Sequence, residues 1–229
     1  MKTLIHVAKL PRLDWINSIA VPWGALTLSW AINMVIFASI PTQKGGGHTG
    51  GLATLFAFML AIGSVTIVRF LPFGLTVGLS RRVYYLGIMT YVALTSALYA
   101  AILTALNLLE SETDGWSLKL HFFRIPWLLD GPWYRTFLTT FVLLVATFMV
   151  GAMLGIVYQR FRLVGLTAFL ALVAIALTIV ALVITWHHGW HSFGHFVSGL
   201  TALGLTGWLA LFVAVLGVGE YATIRRATV

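Results

Sequence analysis

Four histidines stand close together near the end of the chain, and imidazole nitrogens are common ligands of zinc, copper and haem iron. Of these, His187, His191 and His195 recur every four residues, so one face of a helix would carry all three. No carboxylate follows in this segment to orient the imidazoles, and neighbouring Trp186 and Trp190 favour a role as interfacial anchors. We therefore predict no metal site, with these three histidines as the candidates if one exists and a pH-sensitive gate as a further alternative.

The sequence contains no P-loop motif for binding a nucleotide. A P-loop requires Gly, four residues, then Gly-Lys followed by Ser or Thr, so that backbone N–H groups and the lysine surround the phosphates. The glycine-rich stretch 44–47 has its lysine before the glycines, and no P-loop string occurs elsewhere. Cysteine is absent, which excludes thiolate metal sites and a catalytic thiol. We predict no catalytic residue, no enzyme activity and no cofactor in this chain.

The polar side chains inside the long apolar stretches are few and uncharged. Four of them, Asn33, Thr66, Thr95 and Asn107, are the candidates for lining a substrate path. The only formal charges in those stretches are Arg69 and Glu220, each near an end where a long side chain can reach the head groups. The absence of a charge at mid-membrane argues against an ion-coupled transporter and favours an apolar or amphipathic substrate.

The elements that would position these groups are transmembrane helices. Hydrophobic residues make up 60% of the 229 residues and charged residues 9%, which excludes an ordinary globular surface. Stretches of about 20 apolar residues predict helical spans. Six are expected, at about 20–40, 52–71, 83–109, 136–158, 163–186 and 200–221. Residues 1–18 lack the unbroken apolar stretch of a cleavable signal peptide, and residues 19–229 are expected to form one membrane domain.

Basic residues assign an orientation to these spans, because Lys and Arg accumulate on the cytoplasmic side. With the N-terminus inside, the inner face carries ten basic and two acidic residues, and the outer face carries four of each. Both termini are therefore predicted in the cytoplasm. The net charge of +8 has a topological explanation, so no nucleic-acid partner is expected. The longest outer loop, between spans three and four, mixes aromatic and charged residues and is expected to lie flat on the outer leaflet, with a ligand-facing lid as the alternative.

The segment between spans two and three has the most specific sequence. Pro72 ends a helix, Gly74 and Gly78 permit a turn, and Arg81 and Arg82 follow, which predicts a short amphipathic helix along the inner membrane surface. The phrases Pro-Phe-Gly-Leu at 72–75, Gly-Leu-Ser-Arg-Arg at 78–82 and Tyr-Tyr-Leu-Gly at 84–87 resemble the first cytoplasmic loop of actinobacterial type-2 permeases of ABC-type drug and antibiotic exporters. The alternative is a simple hairpin with basic anchors.

This resemblance, which extends over nearly the whole chain, implies a fold and a function. The fold is all-α and integral to the membrane, with six spans, the interfacial helix at 1–18, a cytoplasmic coupling helix between spans two and three, and a short outer helix between spans five and six, which 187–196 could supply. The residues that would contact the ATPase subunit are Phe73, Gly74, Leu75, Gly78, Ser80, Arg81 and Arg82.

The implied protein is a permease subunit that exports an apolar or amphipathic substrate by alternating access, as a multi-pass protein of a bacterial plasma membrane. Its implied partners are a cytoplasmic P-loop subunit that binds ATP and Mg²⁺, a second permease copy or a related subunit, and membrane lipids. The alternative from a different class is a haem- or metal-binding membrane oxidoreductase subunit that uses the 187–195 histidines.

Overall fold

The computed structural model describes residues 16–39, 47–125, 128–129, 131–187, 190 and 201–226. Six α-helices dominate them: α1 (Val21–Ser39), α2 (Ala53–Val65), α3 (Leu71–Thr76), α4 (Arg81–Glu112), α5 (Trp133–Trp186) and α6 (Ala202–Arg226). Two-residue strands β1 (Gly47–His48) and β2 (Leu120–His121) pair in parallel. Three short π-helical segments lie at Ile16–Ala20, Thr66–Phe70 and Gly115–Lys119.

Five helical runs in the described residues are long and apolar enough to cross a membrane. They are Ser18–Ser39, Ala53–Thr76, Arg81–Glu112, Trp133–Trp186 and Ala202–Thr223. Large apolar side chains stay exposed along α1, α6 and the second half of α5, as expected for helices that contact lipid. The molecule is compatible with a multi-pass membrane protein.

The predicted fourth and fifth spans fall on one helical run, α5, in which the one residue with non-helical dihedral angles is Arg162 (φ 58°, ψ −158°). The bend there is sharp: a Cβ built on Gly165 would overlap the Cβ of Phe161, whereas side chains four apart in a straight helix are about 5–6 Å apart. Residues 159–162 contain no glycine or proline, so the sequence carries no ordinary turn signal at this point.

Close backbone packing joins α2 to the first half of α5. A Cβ at Gly63 would overlap the carbonyl oxygen of Phe148, and one at Gly151 would overlap the carbonyl oxygen of Leu60. Ser64 Oγ donates a hydrogen bond of 2.7 Å to the Gly151 carbonyl across the same contact. The sequence indicates such a packing face through its small residues at 151, 152 and 155, and the structure confirms it.

The helix bundle has two ends with different connections. The turn end holds residues 71–82, where the chain passes from α3 to α4, and Tyr85 near it donates a 2.7 Å hydrogen bond to the Gly217 carbonyl of α6. The capped end holds residues 47–51 and 110–125, and near it Thr139 and Thr206 hydroxyls lie 2.9 Å apart. The helices run between these two ends.

Candidate functional site

At the turn end, Gly78 terminates helix α3. Gly78 has φ +84°, its N–H donates to the Leu75 carbonyl at 3.0 Å, and the Leu79 N–H donates to the Gly74 carbonyl at 3.0 Å. These two bonds are the Schellman pattern, in which a left-handed residue after the helix satisfies the last carbonyls. Nothing lies within 4 Å of a Cβ built on Gly78, so only the backbone conformation requires glycine there.

Tyr84 fixes the turn against the bundle. Its side chain is buried, and its hydroxyl donates a 2.7 Å hydrogen bond to the Thr66 carbonyl, which lies in the π-helical segment before α3. A Cβ on Gly74 would come within 2.9 Å of the Tyr84 ring, so Gly74 leaves the space that this ring occupies. Ser80 starts α4 and accepts a long hydrogen bond of 3.4 Å from the Val83 N–H. The turn is thus held from both flanking helices.

The predicted coupling residues divide into two groups. Phe73, Ser80 and Arg82 are exposed, whereas Gly74 is buried and Leu75 packs against the core. Val77, which the sequence reading left out, is 65% exposed beside Phe73 at 53%. Residues 71–76 are helical, but α3 continues without interruption from the π-helical segment and belongs to the membrane-length run Ala53–Thr76. The described residues therefore show no separate short helix between the second and third spans, and the loop between the membrane-length helices is only residues 77–80.

A cleft of about 440 Å³ opens between α2, the π-helical segment after it, and both halves of α5. Most of its lining is aliphatic, with three polar side chains: Ser64, Arg69 and Tyr158. Leu166 lies on this cleft together with Leu154, so the second half of α5 folds back beside the first. The cleft has the size of a small-molecule site, and Arg69 has no ion-pair partner among the described residues.

The four residues predicted to line a substrate path are dispersed and do not line this cleft. Asn33 and Thr66 donate hydrogen bonds to carbonyls of their own helices, at 2.8 and 2.7 Å. Asn107 is buried and donates to the Phe123 carbonyl at 3.1 Å, while Thr95 is partly buried on α4. Three of them therefore donate hydrogen bonds to backbone carbonyls, which is a common role of polar side chains in membrane helices.

The histidine cluster falls mostly outside the described residues. His187 ends α5 and is exposed, whereas His191 and His195 are not described. Among the residues that are described, no three metal-ligating side chains come together. The predicted helix at 1–18 lies outside the described residues up to residue 15, and so does most of the predicted outer helix at 187–196.

The chain matches no family model, no curated protein and no solved structure.

At the capped end, the loop after α4 folds into the protein and does not lie flat. Leu120, Phe122 and Leu129 are each at most 3% exposed. The fully buried carboxylate of Glu110 organises this loop: it accepts hydrogen bonds from the backbone N–H groups of Phe122, Phe123 and Arg124 at 2.9–3.1 Å. The expectation of a flat surface anchor was wrong, because a carboxylate that satisfies three loop N–H groups holds the loop over the bundle.

Two further contacts complete this arrangement. The Trp116 indole N–H donates to Glu110 Oε2 at 3.2 Å, and His121 Nδ1 lies 3.8 Å from Glu110 Oε1. Sequence reasoning only counted Glu110 among the four acidic residues of the outer face and so missed this cluster. The aromatic content of this loop was an available signal, because large aromatic side chains favour burial over exposure to water.

Glu220 also differs from its prediction. It was expected to reach the head groups from the end of the last span, but its side chain is 1% exposed and Oε1 has no hydrogen-bond partner among the described residues. It lies on α6 between Gly217, which binds the Tyr85 hydroxyl, and Tyr221, whose ring centroid is 5.3 Å from that of Tyr85.

Proposed function

We propose that this chain is the permease subunit of an ATP-driven exporter, and that it moves an apolar or amphipathic substrate by alternating access. The observation that carries the proposal is the turn at 73–82: exposed Phe73 and Val77 project from a turn that is fixed at both sides, with exposed Arg82 beside them. Exposed apolar side chains on a rigid turn, flanked by a basic residue, are suited to a protein partner. The sequence of this turn is the part that resembles the ATPase-contacting loop.

Six spans, with both termini in the cytoplasm of a bacterium, belong to the same proposal. The bend at Arg162 divides α5 into segments of 133–161 and 163–186, and each is long enough to cross a bilayer. Ten basic residues against four favour the turn end as cytoplasmic. A P-loop subunit that binds ATP and Mg²⁺, and a second permease copy or a related subunit, complete the proposed transporter.

The 440 Å³ cleft is the proposed substrate-entry site in this scheme. It lies against α2, and α3 continues that helix into the turn, so a push on the turn would act on the cleft wall through one helical run. Tyr84, bonded to the Thr66 carbonyl, links the same turn to the segment that carries Arg69. Such a device would change the populations of inward and outward states when the partner binds nucleotide.

A photo-crosslinking experiment tests the partner. A photoreactive phenylalanine analogue is placed at Val77 in the chain expressed in its own host, and the matched control places it at Leu172, which is exposed on α5. We expect the Val77 variant to yield a covalent adduct with a P-loop ATPase and the Leu172 variant to yield none. Adducts with lipid alone at both positions would contradict the proposal.

A further inference from the structure

A second cleft, at the capped end, has walls made largely of aromatic rings. Its volume is about 210 Å³, and Trp23, Trp30, Trp116 and Phe123 lie on it. Trp30 and Trp116 meet edge to face with ring centroids 5.2 Å apart, and Trp116 and Phe123 do so at 6.5 Å. These walls come from α1 and from the loop after α4, so the cleft exists only when the cap is folded.

Glu110 fixes two of these walls. Its Oε2 accepts the Trp116 indole N–H at 3.2 Å and the Phe123 backbone N–H at 2.9 Å. An indole that donates to a carboxylate is polarised, because hydrogen bonds in a low-dielectric interior polarise their members, and the ring face becomes more negative. The carboxylate itself is fully buried behind the ring. Its oxygens accept hydrogen bonds from backbone and indole N–H groups, and the described residues that line the cleft include no basic side chain.

We propose that this cleft binds a small quaternary ammonium compound taken from water. Ring faces attract such cations through their quadrupoles, and several rings around one head group are the usual arrangement for this chemistry. The cleft volume is below the roughly 300–1,000 Å³ of sites for drug-sized ligands, so it suits a head group rather than a long molecule.

Choline is a suitable probe for this site, because its trimethylammonium head group is small enough for a cleft of this volume and carries the charge that aromatic rings attract.

The test measures equilibrium binding of radiolabelled choline to the purified full chain in dodecyl maltoside. We expect saturable binding that 3,3-dimethylbutanol, the uncharged isostere of choline, displaces at least about tenfold less well than unlabelled choline. Trp30→Leu should weaken binding about two- to thirtyfold, and Trp116→Phe, which keeps a ring but loses the bond to Glu110, should weaken it less than Trp116→Leu. The matched control is Trp208→Leu, on an exposed tryptophan of α6, with no change expected.

Three results would overturn the assignment. Equal displacement by the neutral isostere would show a merely apolar cavity, and equal loss in Trp208→Leu would show a site elsewhere. If choline binds in phosphatidylglycerol nanodiscs but not in phosphatidylcholine nanodiscs, a lipid head group is the occupant and the soluble-cation assignment is wrong. Because Trp30 makes no side-chain hydrogen bond among the described residues, Trp30→Phe serves as a second variant that keeps an aromatic ring at this position, and it should weaken binding less than Trp30→Leu.

Discussion

A single carboxylate, Glu110, holds the capped end together. Three backbone N–H groups and one indole N–H converge on its two oxygens, although the residue is fully buried. Burying a carboxylate is expensive unless hydrogen bonds replace its water, and here four donors do so. The cap is therefore a folded unit whose order depends on one residue of α4.

Replacing Glu110 should loosen the cap in a graded way. Glu110→Gln puts an amide NH₂ against groups that are themselves donors, so we expect a loss of about 1–3 kcal/mol, and Glu110→Ala should cost more because every donor loses its acceptor. Thermal unfolding in detergent and protease cleavage after α4 measure the effect. The control is Glu112→Gln at an exposed position of the same helix, where a change within about 0.5 kcal/mol is expected. Equal stability of Glu110→Ala and the parent would contradict this role.

Gly78 offers a second test at the residue scale. Its φ of +84° is disfavoured for any residue with a Cβ, while the space around it is open, so Gly78→Ala should destabilise by about 1 kcal/mol through conformation alone. Gly24, inside α1 and equally unobstructed, is the matched control. Gly24→Ala should be neutral or stabilise, because alanine is the better helix former. A lower melting temperature for Gly78→Ala without a fall for Gly24→Ala confirms the assignment, and an equal fall in both variants refutes it.

The two buried acids show where sequence reasoning stops at this scale. Glu220 was predicted to reach the head groups from the end of a span, and Glu110 was counted among the acidic residues of the outer face, because position along the chain was the only information available. Their burial depends on how the chain folds in three dimensions: residues 116–124 turn back onto Glu110, and Glu220 lies on the part of α6 that is bonded to Tyr85. Gly78, in contrast, was predicted as a turn residue from its neighbours alone, and its positive φ confirms it.

At the scale of elements, a contact between helices could be predicted from the sequence, whereas the bend within α5 could not. The small residues at 151–155 predicted a close helix contact, since spacing on one helix face is a local property. Gly207 belongs to a similar run in the last helix but is exposed, with nothing within 4 Å of a built Cβ. The bend at Arg162 was expected only as a short loop, and no residue type near it reveals that a single arginine takes the non-helical conformation.

The contact between α2 and α5 should tolerate no added side chain. In Gly151→Ala the new Cβ would overlap the Leu60 carbonyl oxygen, and backbone cannot yield as a flexible side chain can. We expect a loss of about 1–3 kcal/mol, with the helices forced apart. Gly207→Ala is the control and should leave the melting temperature unchanged or slightly raised. Folded yield and melting temperature in detergent decide the matter, and an unaffected Gly151→Ala would disprove the contact.

For the whole molecule, the long helices were the most predictable feature, since their length and composition are continuous over about 20 residues. The boundaries of the described helices agree with the predicted spans to within a few residues, except that two predicted spans lie on α5. The tertiary positions of the loops were not predictable in this way. The cap folds inward because of Glu110, and the cleft beside Arg69 exists because α5 bends back.

Sidedness is the property of the whole molecule that decides between the proposed function and its alternatives, and the absence of cysteine makes it directly measurable. Ser80, at the turn end, and Thr113, at the capped end, are both exposed, so each is a suitable position for a single cysteine. If the excess of basic residues orients the chain as proposed, a membrane-impermeant maleimide should label Thr113→Cys in intact cells and Ser80→Cys only after permeabilisation. Labelling in both variants after permeabilisation is the control for reactivity. The opposite pattern would place the turn at the outer surface, beyond the reach of any cytoplasmic ATPase. The export proposal would then lose its basis, whereas the proposed ammonium site could still be tested on its own.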